Sequence, residues 1–374
     1  MSTVSANTIL DATGGNTATI NGTTPTAYNT MGKNRIINGA MEIDQRNAGA
    51  SVSVDGGASY TLDRYLCQDN TDGSFSVQRS TTAPTGFVNS LLVTITGTDS
   101  SLTTTQFGRV VQRIEGTSIS DLAWGTASAK SVTLSFWVRS SVTGTFGGSL
   151  NNNDGNRIYA FTYTISSANT WEQKTVTVAG DTTGTWLTTT GTGIELNFGL
   201  GAGPDRSVTA GSWGTSLAYN ATGATNLFAT SGATWYITGV QLEVGSVATE
   251  FERRLYGTEL ALCQRYYDKS YNANTALGTV NFQGFRAEQG WNTSSAQKAV
   301  GTNFVIEKRA TPTMYIWDLG GNASKISSLS TGGSWTNNVA YTGVVDTNAK
   351  YFKVLVNSST LYGFGYHWAA DAEL

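Results

Sequence analysis

One histidine, His367, is all the chain has. It sits in an aromatic run near the end, so it cannot supply half of a two-histidine metal site. A Ser-His-Asp relay around it would need an exposed nucleophile, and no Gly-x-Ser-x-Gly elbow occurs. A structural histidine on a strand is the expectation. The two cysteines, Cys67 and Cys263, are far apart and in no metal-ligand spacing. One disulfide between them is compatible with the sequence, and two buried free thiols are the favoured reading.

Cleavage of a glycan would call for two carboxylates roughly 5–10 Å apart. Asp63, Asp69, Asp72, Asp154, Glu172, Asp181, Glu195 and Glu243 are the candidates. Asp154-Gly155 and the 69–73 stretch read as turns. Asp63-Arg64 reads as a buried ion pair on a strand edge, and Glu195 points away from Ile194 on an alternating strand. No catalytic residue is assigned from these. A structural Ca²⁺ would draw on Asp and carbonyl oxygens, but no contiguous Asp-x-Asp-x-Asp loop exists. Hence no metal ligand and no cofactor is assigned. The short Gly sets, such as 199–203, lack the lysine and helix of a phosphate loop.

Aromatic rings are the better candidates for ligand contact, because sugars pack flat C–H faces against Trp and Tyr. Trp171, Trp186, Trp213, Trp291 and Trp335 lie among small polar residues and are expected in loops. Trp186, Trp213 and Trp335 are the candidate glycan-binding residues. Trp137, Trp235 and Trp368 fall in strand patterns and are expected in the core or an interface between subunits.

The elements that would hold these rings are strands. Period-2 alternation places Val132, Leu134, Phe136 and Val138 on one face, and does the same for Tyr159, Phe161, Tyr163 and Ile165. Further strands are expected at 75–79, 91–96, 107–115, 174–178, 194–200 and 235–244. Gly-, Asn- and Thr-rich linkers separate them, which is the pattern of a two-sheet sandwich or jelly roll. Residues 250–270 gather charges, and Leu255, Leu260, Cys263 and Tyr267 fit one helical face with Thr258 as N-cap. Beyond it, strands are expected at 280–285, 303–307, 315–318, 351–356 and 361–368. The last sets Tyr362, Phe364, Tyr366 and Trp368 on one side, suited to a packed sheet or a trimer axis.

The expected fold class is therefore all-β: a jelly-roll-like β-sandwich, a second C-terminal β-domain, an extended N-terminal arm and one short connecting helix. The expected division is an attachment arm at 1–33, the sandwich at 34–249, the helical connector at 250–272 and the C-terminal β-domain at 273–374. The arm has too few apolar residues to fold on itself and would order against copies of itself or a docking partner.

Length and composition agree. The 374 residues suffice for a real core, and 39% are hydrophobic. Only 13% are charged, against roughly a quarter in average proteins, with 43 glycines and 4 prolines. The net charge of −3 gives no basic footprint for nucleic acid. No apolar run is long enough to span a membrane, and the start does not read as a signal peptide. Release by host lysis is one route outside a cell for such a chain.

Several motifs resemble phage tail-fibre proteins. They are Asn34-Arg35-Ile36-Ile37-Asn38-Gly39-Ala40-Met41, Asp44-Gln45-Arg46-Asn47 and Tyr60-Thr61-Leu62-Asp63-Arg64-Tyr65. Gly239-Val240-Gln241-Leu242-Glu243-Val244-Gly245, Ala248-Thr249-Glu250-Phe251-Glu252 and Cys263-Gln264-Arg265-Tyr266-Tyr267 follow. The ending Ala369-Ala370-Asp371-Ala372-Glu373-Leu374 and the Asp11–Pro25 segment are similar too. The resemblance implies a carbohydrate-binding-module-like sandwich, a homotrimer on a virion, docking to a tail protein through residues 1–33, and recognition of a bacterial surface glycan or receptor. Assembly in the host cytoplasm and residence on the phage tail follow from it. Two other readings stay open: a glycan-depolymerising tailspike, and a purely architectural head or neck fibre or fibre segment.

Overall fold

The computed structural model describes residues 32–290, 297–358 and 360–374. Apart from Gly32 and Lys33, the expected arm at 1–33 lies outside these residues, as does Trp291.

The first unit contains β1 (Val52–Val54), β2 (Ala58–Tyr60), β3 (Tyr65–Asp69), β4 (Ser74–Ser80), β5 (Ser90–Gly97), β6 (Phe107–Glu115), β7 (Val132–Ser140) and β8 (Gly144–Asn151). It continues with β9 (Ile158–Ile165), β10 (Glu172–Val178), β11 (Thr192–Ala202), β12 (Ser207–Val208), β13 (Trp213–Gly214), β14 (Asn220–Ala221) and β15 (Thr234–Val244). A six-stranded sheet runs β1-β4-β5-β15-β7-β10, and a seven-stranded sheet runs β13-β9-β8-β11-β6-β3-β2. The two sheets stack face to face. Val93, Phe136, Val138 and Ile237 from one sheet meet Val110, Phe146, Phe161 and Phe198 from the other, all at most 2% exposed. Trp235 is fully buried among them, its Nε1 donating to Tyr163 Oη at 3.2 Å.

Alternation explains why the outer face of the seven-stranded sheet is polar. On β6, Val110 and Ile114 enter the core while Arg109 and Arg113 point out. On β11, Ile194, Leu196 and Phe198 enter and Glu195 points out; on β8, Phe146 and Leu150 enter and Asn151 points out. β8 is absent from the sequence expectations because its glycines read as a linker. They serve close approach instead: a Cβ on Gly147 would lie 2.3 Å from Asn220 Oδ1, and one on Gly199 would lie 2.5 Å from Asn220 Cγ. The segment carrying β12 to β14 thus lies flat on the outer face.

The helix α1 (Tyr256–Gln264) is the only α-helix among the described residues. Its cap is Leu255, without a side-chain hydrogen bond, rather than Thr258. Leu255 is 81% exposed, and Tyr267 belongs to a strand. The buried face carries Glu259 and Cys263, one turn apart, because the Glu259 carboxylate accepts the Asn38 N–H and an Arg254 guanidinium N–H. Both cysteines are buried and free.

The second unit comprises β16 (Tyr267–Lys269), β17 (Arg286–Gln289), β18 (Gln297–Asn303), β19 (Thr313–Trp317), β20 (Ile326–Leu329), β21 (Trp335–Val339), β22 (Gly343–Val345), β23 (Tyr351–Asn357) and β24 (Gly363–Asp371). β24 is the hub, pairing with β16, β17, β19 and β20, while β18-β23-β22 form a separate sheet. The ladder residues Phe364, Tyr366 and Trp368 pack into this unit's own core with Val300, Ile316 and Phe352. That burial answers the packed-sheet expectation and leaves these rings unavailable for an axis between subunits. The strands expected at 280–285 and 303–307 do not form. Left-handed Gly278 and Gly284 turn the first, leaving Val280 and Phe282 71% and 67% exposed. The second is displaced upstream into β18, beyond which Val305 is 92% exposed.

Asp11–Pro25 lies outside the described residues; the other motifs that resemble tail fibres gather around the join between the units. Asn34 and Arg35 bond to Val240 and Leu242 on β15. Gln45 Nε2 bridges Asp63 Oδ2 at 2.6 Å and the Tyr267 carbonyl at 2.9 Å. Arg46 pairs with Asp371 at 2.8 Å and Glu373 at 3.3 Å, while Arg64 pairs with Glu373. Asp63 and Arg64 are both buried, as expected, but each pairs with a different group rather than with the other. Arg64 lies in the left-handed region, with φ 72°.

Candidate functional site

The outer face of the seven-stranded sheet carries a cleft of about 410 Å³. Its floor is Arg109 and Arg113 of β6, Glu195 of β11 and Asn151 of β8. The turn 152–155 forms one wall, and Leu217 and Tyr219, from the segment laid over the sheet, form another. Arg113 also donates to the Leu374 carbonyl, which closes one end.

The floor is rigid. Arg109, 4% exposed, donates to Glu195 Oε1 at 2.6 Å and to Gln68 Oε1 at 2.7 Å, and also bonds Asn197 Oδ1. Its guanidinium lies 3.7 Å from the centroid of the Tyr219 ring, and that ring packs on Phe107 at 4.6 Å. Arg113 Nε reaches Glu195 Oε2 at 3.0 Å. Burial works against the Glu195 charge, but the two arginines outweigh it and hold the carboxyl below its usual range. Asn151 is 1% exposed; its amide N–H donates to the Ala218 carbonyl at 3.0 Å, and its Oδ1 has no protein partner. An enclosed acceptor without a protein partner, just beneath a cleft, is a place for a buried water. Arg109 and Arg113 both pair with Glu195, so donors and acceptors stand side by side, an arrangement suited to a hydroxyl-rich ligand.

The three expected tryptophans are elsewhere: none of them lines the cleft. Trp186 does lie in a loop, but it is only 8% exposed and sits edge-on against Trp124 at 4.6 Å and Trp213 at 5.4 Å. Its Nε1 donates to Asp181 Oδ2 at 3.2 Å. Trp213 forms β13 at the sheet's edge, half-buried, with Nε1 on the Ala179 carbonyl at 2.8 Å. Trp335 opens β21, half-buried against Phe285 at 5.3 Å. Trp171, in a loop, packs on Tyr236 at 6.0 Å.

Among the carboxylates, Asp154 and Glu195 share the cleft; Asp63, Asp69, Asp181 and Glu243 are buried in structural bonds. His367 is buried, with Nδ1 3.0 Å from Ser270 Oγ and Nε2 2.9 Å from the Asn281 carbonyl. Ser270 Oγ also accepts the Trp368 N–H at 3.0 Å, so the pair is a packed bridge with no carboxylate behind it. Among the described residues no group of three or more His, Cys, Asp or Glu is placed to hold a metal, and no helix is long and apolar enough to cross a membrane.

Arg109, Arg113, Asn151, Leu217 and Tyr219 escaped the sequence reading. The available signal was Arg109 and Arg113, four residues apart on a strand whose Val110 and Ile114 face the core, so that both arginines share the other face.

No family model matches the sequence, and no curated protein sequence matches it. Solved structures with a similar sandwich exist. One is the enzymatically active domain of bacteriophage CBA120 tailspike protein 4, with 12% identity, 57% of this chain covered, 21% of that chain covered and a TM-score of 0.31. Another is TmCBM61 in complex with β-1,4-galactotriose, with 10% identity, 57% and 99% coverage and a TM-score of 0.29. A third is the family 11 carbohydrate-binding module of Clostridium thermocellum with a mixed-linked tetrasaccharide, with 10% identity, 53% and 98% coverage and a TM-score of 0.27.

Proposed function

We propose that this chain is a tail fibre of a tailed bacteriophage that binds a bacterial surface glycan in the cleft on the seven-stranded sheet and does not cleave it. The observation that carries the reading is the cleft floor, where the hydrogen-bonded Arg109–Glu195–Arg113 array lies beside the Tyr219 ring. Fixed donors and acceptors with one apolar wall suit hydroxyl-rich ligands, since orientation comes from a few placed polar groups. The tail-fibre assignment is supported by the Asn34–Met41, Tyr60–Tyr65 and Gly239–Gly245 motifs, which resemble that family. The proposed assembly is a homotrimer, docked to a tail protein through residues 1–33. Three cleft copies would raise avidity without a strong single pocket.

The tailspike alternative needs a carboxyl poised to protonate a leaving group. Glu195 does not suit that task, because two arginines favour its ionised form.

The test is affinity retardation of the full chain on immobilised capsular and O-antigen polysaccharides, with reducing ends counted in parallel. Retardation by at least one polymer, loss in Tyr219→Ala and no new reducing ends are expected. Release of reducing ends would establish the enzyme instead, and no retardation by any polymer would favour the architectural fibre. Solution mass measurement tests the trimer; a stable monomer would refute it.

A further inference from the structure

A second cavity, of about 320 Å³, opens where the two units join. Its size is at the low end of small-ligand pockets, about 300–1,000 Å³. Its walls come from both units: Tyr60 from β2, Tyr267 from β16, and Tyr315 and Trp317 from β19. Tyr315 and Trp317 are two residues apart on one strand, so both rings emerge on one face of the sheet, with centroids 6.3 Å apart and planes tilted by 36°. Tyr315 is 47% exposed, which a ring on a β-rich surface seldom needs for packing.

The polar groups are set by the same join. The Arg46 guanidinium lies 3.8 Å over the Tyr267 ring and is tied to Asp371 at 2.8 Å and Glu373 at 3.3 Å. Its charge is therefore answered within the protein, and a charged ligand would have to break that network. The Asp371 carboxylate stays 24% exposed at the cavity and accepts hydrogen bonds, as a sugar hydroxyl requires.

We propose that this junction pocket is a second carbohydrate site, taking a single neutral pyranose unit whose C–H face lies on Tyr315 and Trp317 and whose hydroxyls donate to Asp371. It is separate from the cleft and does not depend on it: the two share no lining residue.

The experiment is saturation-transfer NMR of the full chain with the methyl glycosides of glucose, galactose, mannose and N-acetylglucosamine. At least one glycoside is expected to show ring-proton transfer. That transfer should fall in Tyr315→Ala by about tenfold in affinity, as expected for losing a stacked ring. It should persist in Tyr315→Phe, which keeps the ring, and in Tyr219→Ala, which alters only the cleft. An unchanged melting curve for Tyr315→Ala excludes unfolding as the cause. Transfer from none of the four glycosides, or transfer unaffected by Tyr315→Ala, would overturn the proposal. Loss in Tyr219→Ala but not in Tyr315→Ala would assign the signal to the cleft and overturn the second site while sparing the first.

Discussion

Trp186→Ala separates packing from binding. The Trp186 ring is 8% exposed and contacts Trp124 and Trp213 edge-on at 4.6 and 5.4 Å. Burying a ring of this size removes about 150–250 Å² from water, worth roughly 4–6 kcal/mol at about 25 cal/mol per Å². The alanine retains part of that burial, so the loss falls in the range of about 3–5 kcal/mol typical of core Trp truncations. Asp181 loses one donor but keeps Arg157, at 2.7 and 2.6 Å, so no carboxylate is left unpaired. A domain of this size moves by about 2–4 °C per kcal/mol, so the melting transition should fall by roughly 6–20 °C. Thermal unfolding followed by near-ultraviolet circular dichroism is the assay, and the coupled tryptophan signal should collapse with the mutation. Polysaccharide binding, measured well below the transition, should be unchanged. An unshifted melting curve with lost binding would refute this reasoning and restore Trp186 as a ligand-facing residue.

Other expectations can be checked more briefly. Gly147→Ala places a methyl 2.3 Å from Asn220 Oδ1 and 2.9 Å from Ala221 N, so the segment over the sheet must lift; a stability loss of about 1–3 kcal/mol, together with weakened polysaccharide retardation, is expected. Burial pushes the Cys67 thiol up to about 12 and the Cys263 thiol well above its usual value, so neither should react with a thiol reagent at pH 8 until the chain is unfolded, when both should. Burial also pushes Asp63 up to about 6, against the opposing pull of Arg46 and Gln45. A carboxyl raised in the fold binds its proton more tightly there than in the unfolded chain, so its contribution to stability declines as pH rises from about 4 to about 6 and is level above that. Chemical denaturation across that window should show Asp63→Asn gaining on the parent by up to about 3 kcal/mol; a pH-independent difference would show that Asp63 titrates normally.

The strands were legible wherever one face was uniformly apolar, as on β7, β9 and β11, because alternation maps directly onto a two-sheet core; on β15 a bulge between Thr238 and Gln241 shifts the inward set from Trp235 and Ile237 to Val240 and Leu242. β8 was not legible, because Gly147 and Gly148 look like a turn when read locally and like close packing only once Asn220 lies on Gly147 and Phe161 on Gly148. The end of the second unit was read correctly at β24, yet 280–285 was misread because Val280 and Phe282 alternate without any sheet to receive them. The tryptophans misled for a related reason. Small polar neighbours in sequence suggested exposure, while Trp124, Trp186 and Trp213, distant along the chain, bury one another. The cleft unites β6, β8, β11 and a segment near residue 219, and no local pattern encodes that convergence. Only the out-facing Arg109, Arg113 and Glu195 were readable from strand parity.

The most direct test of the central claim is binding of fluorescently labelled full-length protein to intact cells of a susceptible strain, before and after periodate oxidation of their surface glycans, for the parent and for Tyr219→Ala. Saturable binding that periodate abolishes and Tyr219→Ala weakens is the predicted result. Binding that survives both treatments, or no binding to any susceptible strain, would contradict a glycan-reading cleft.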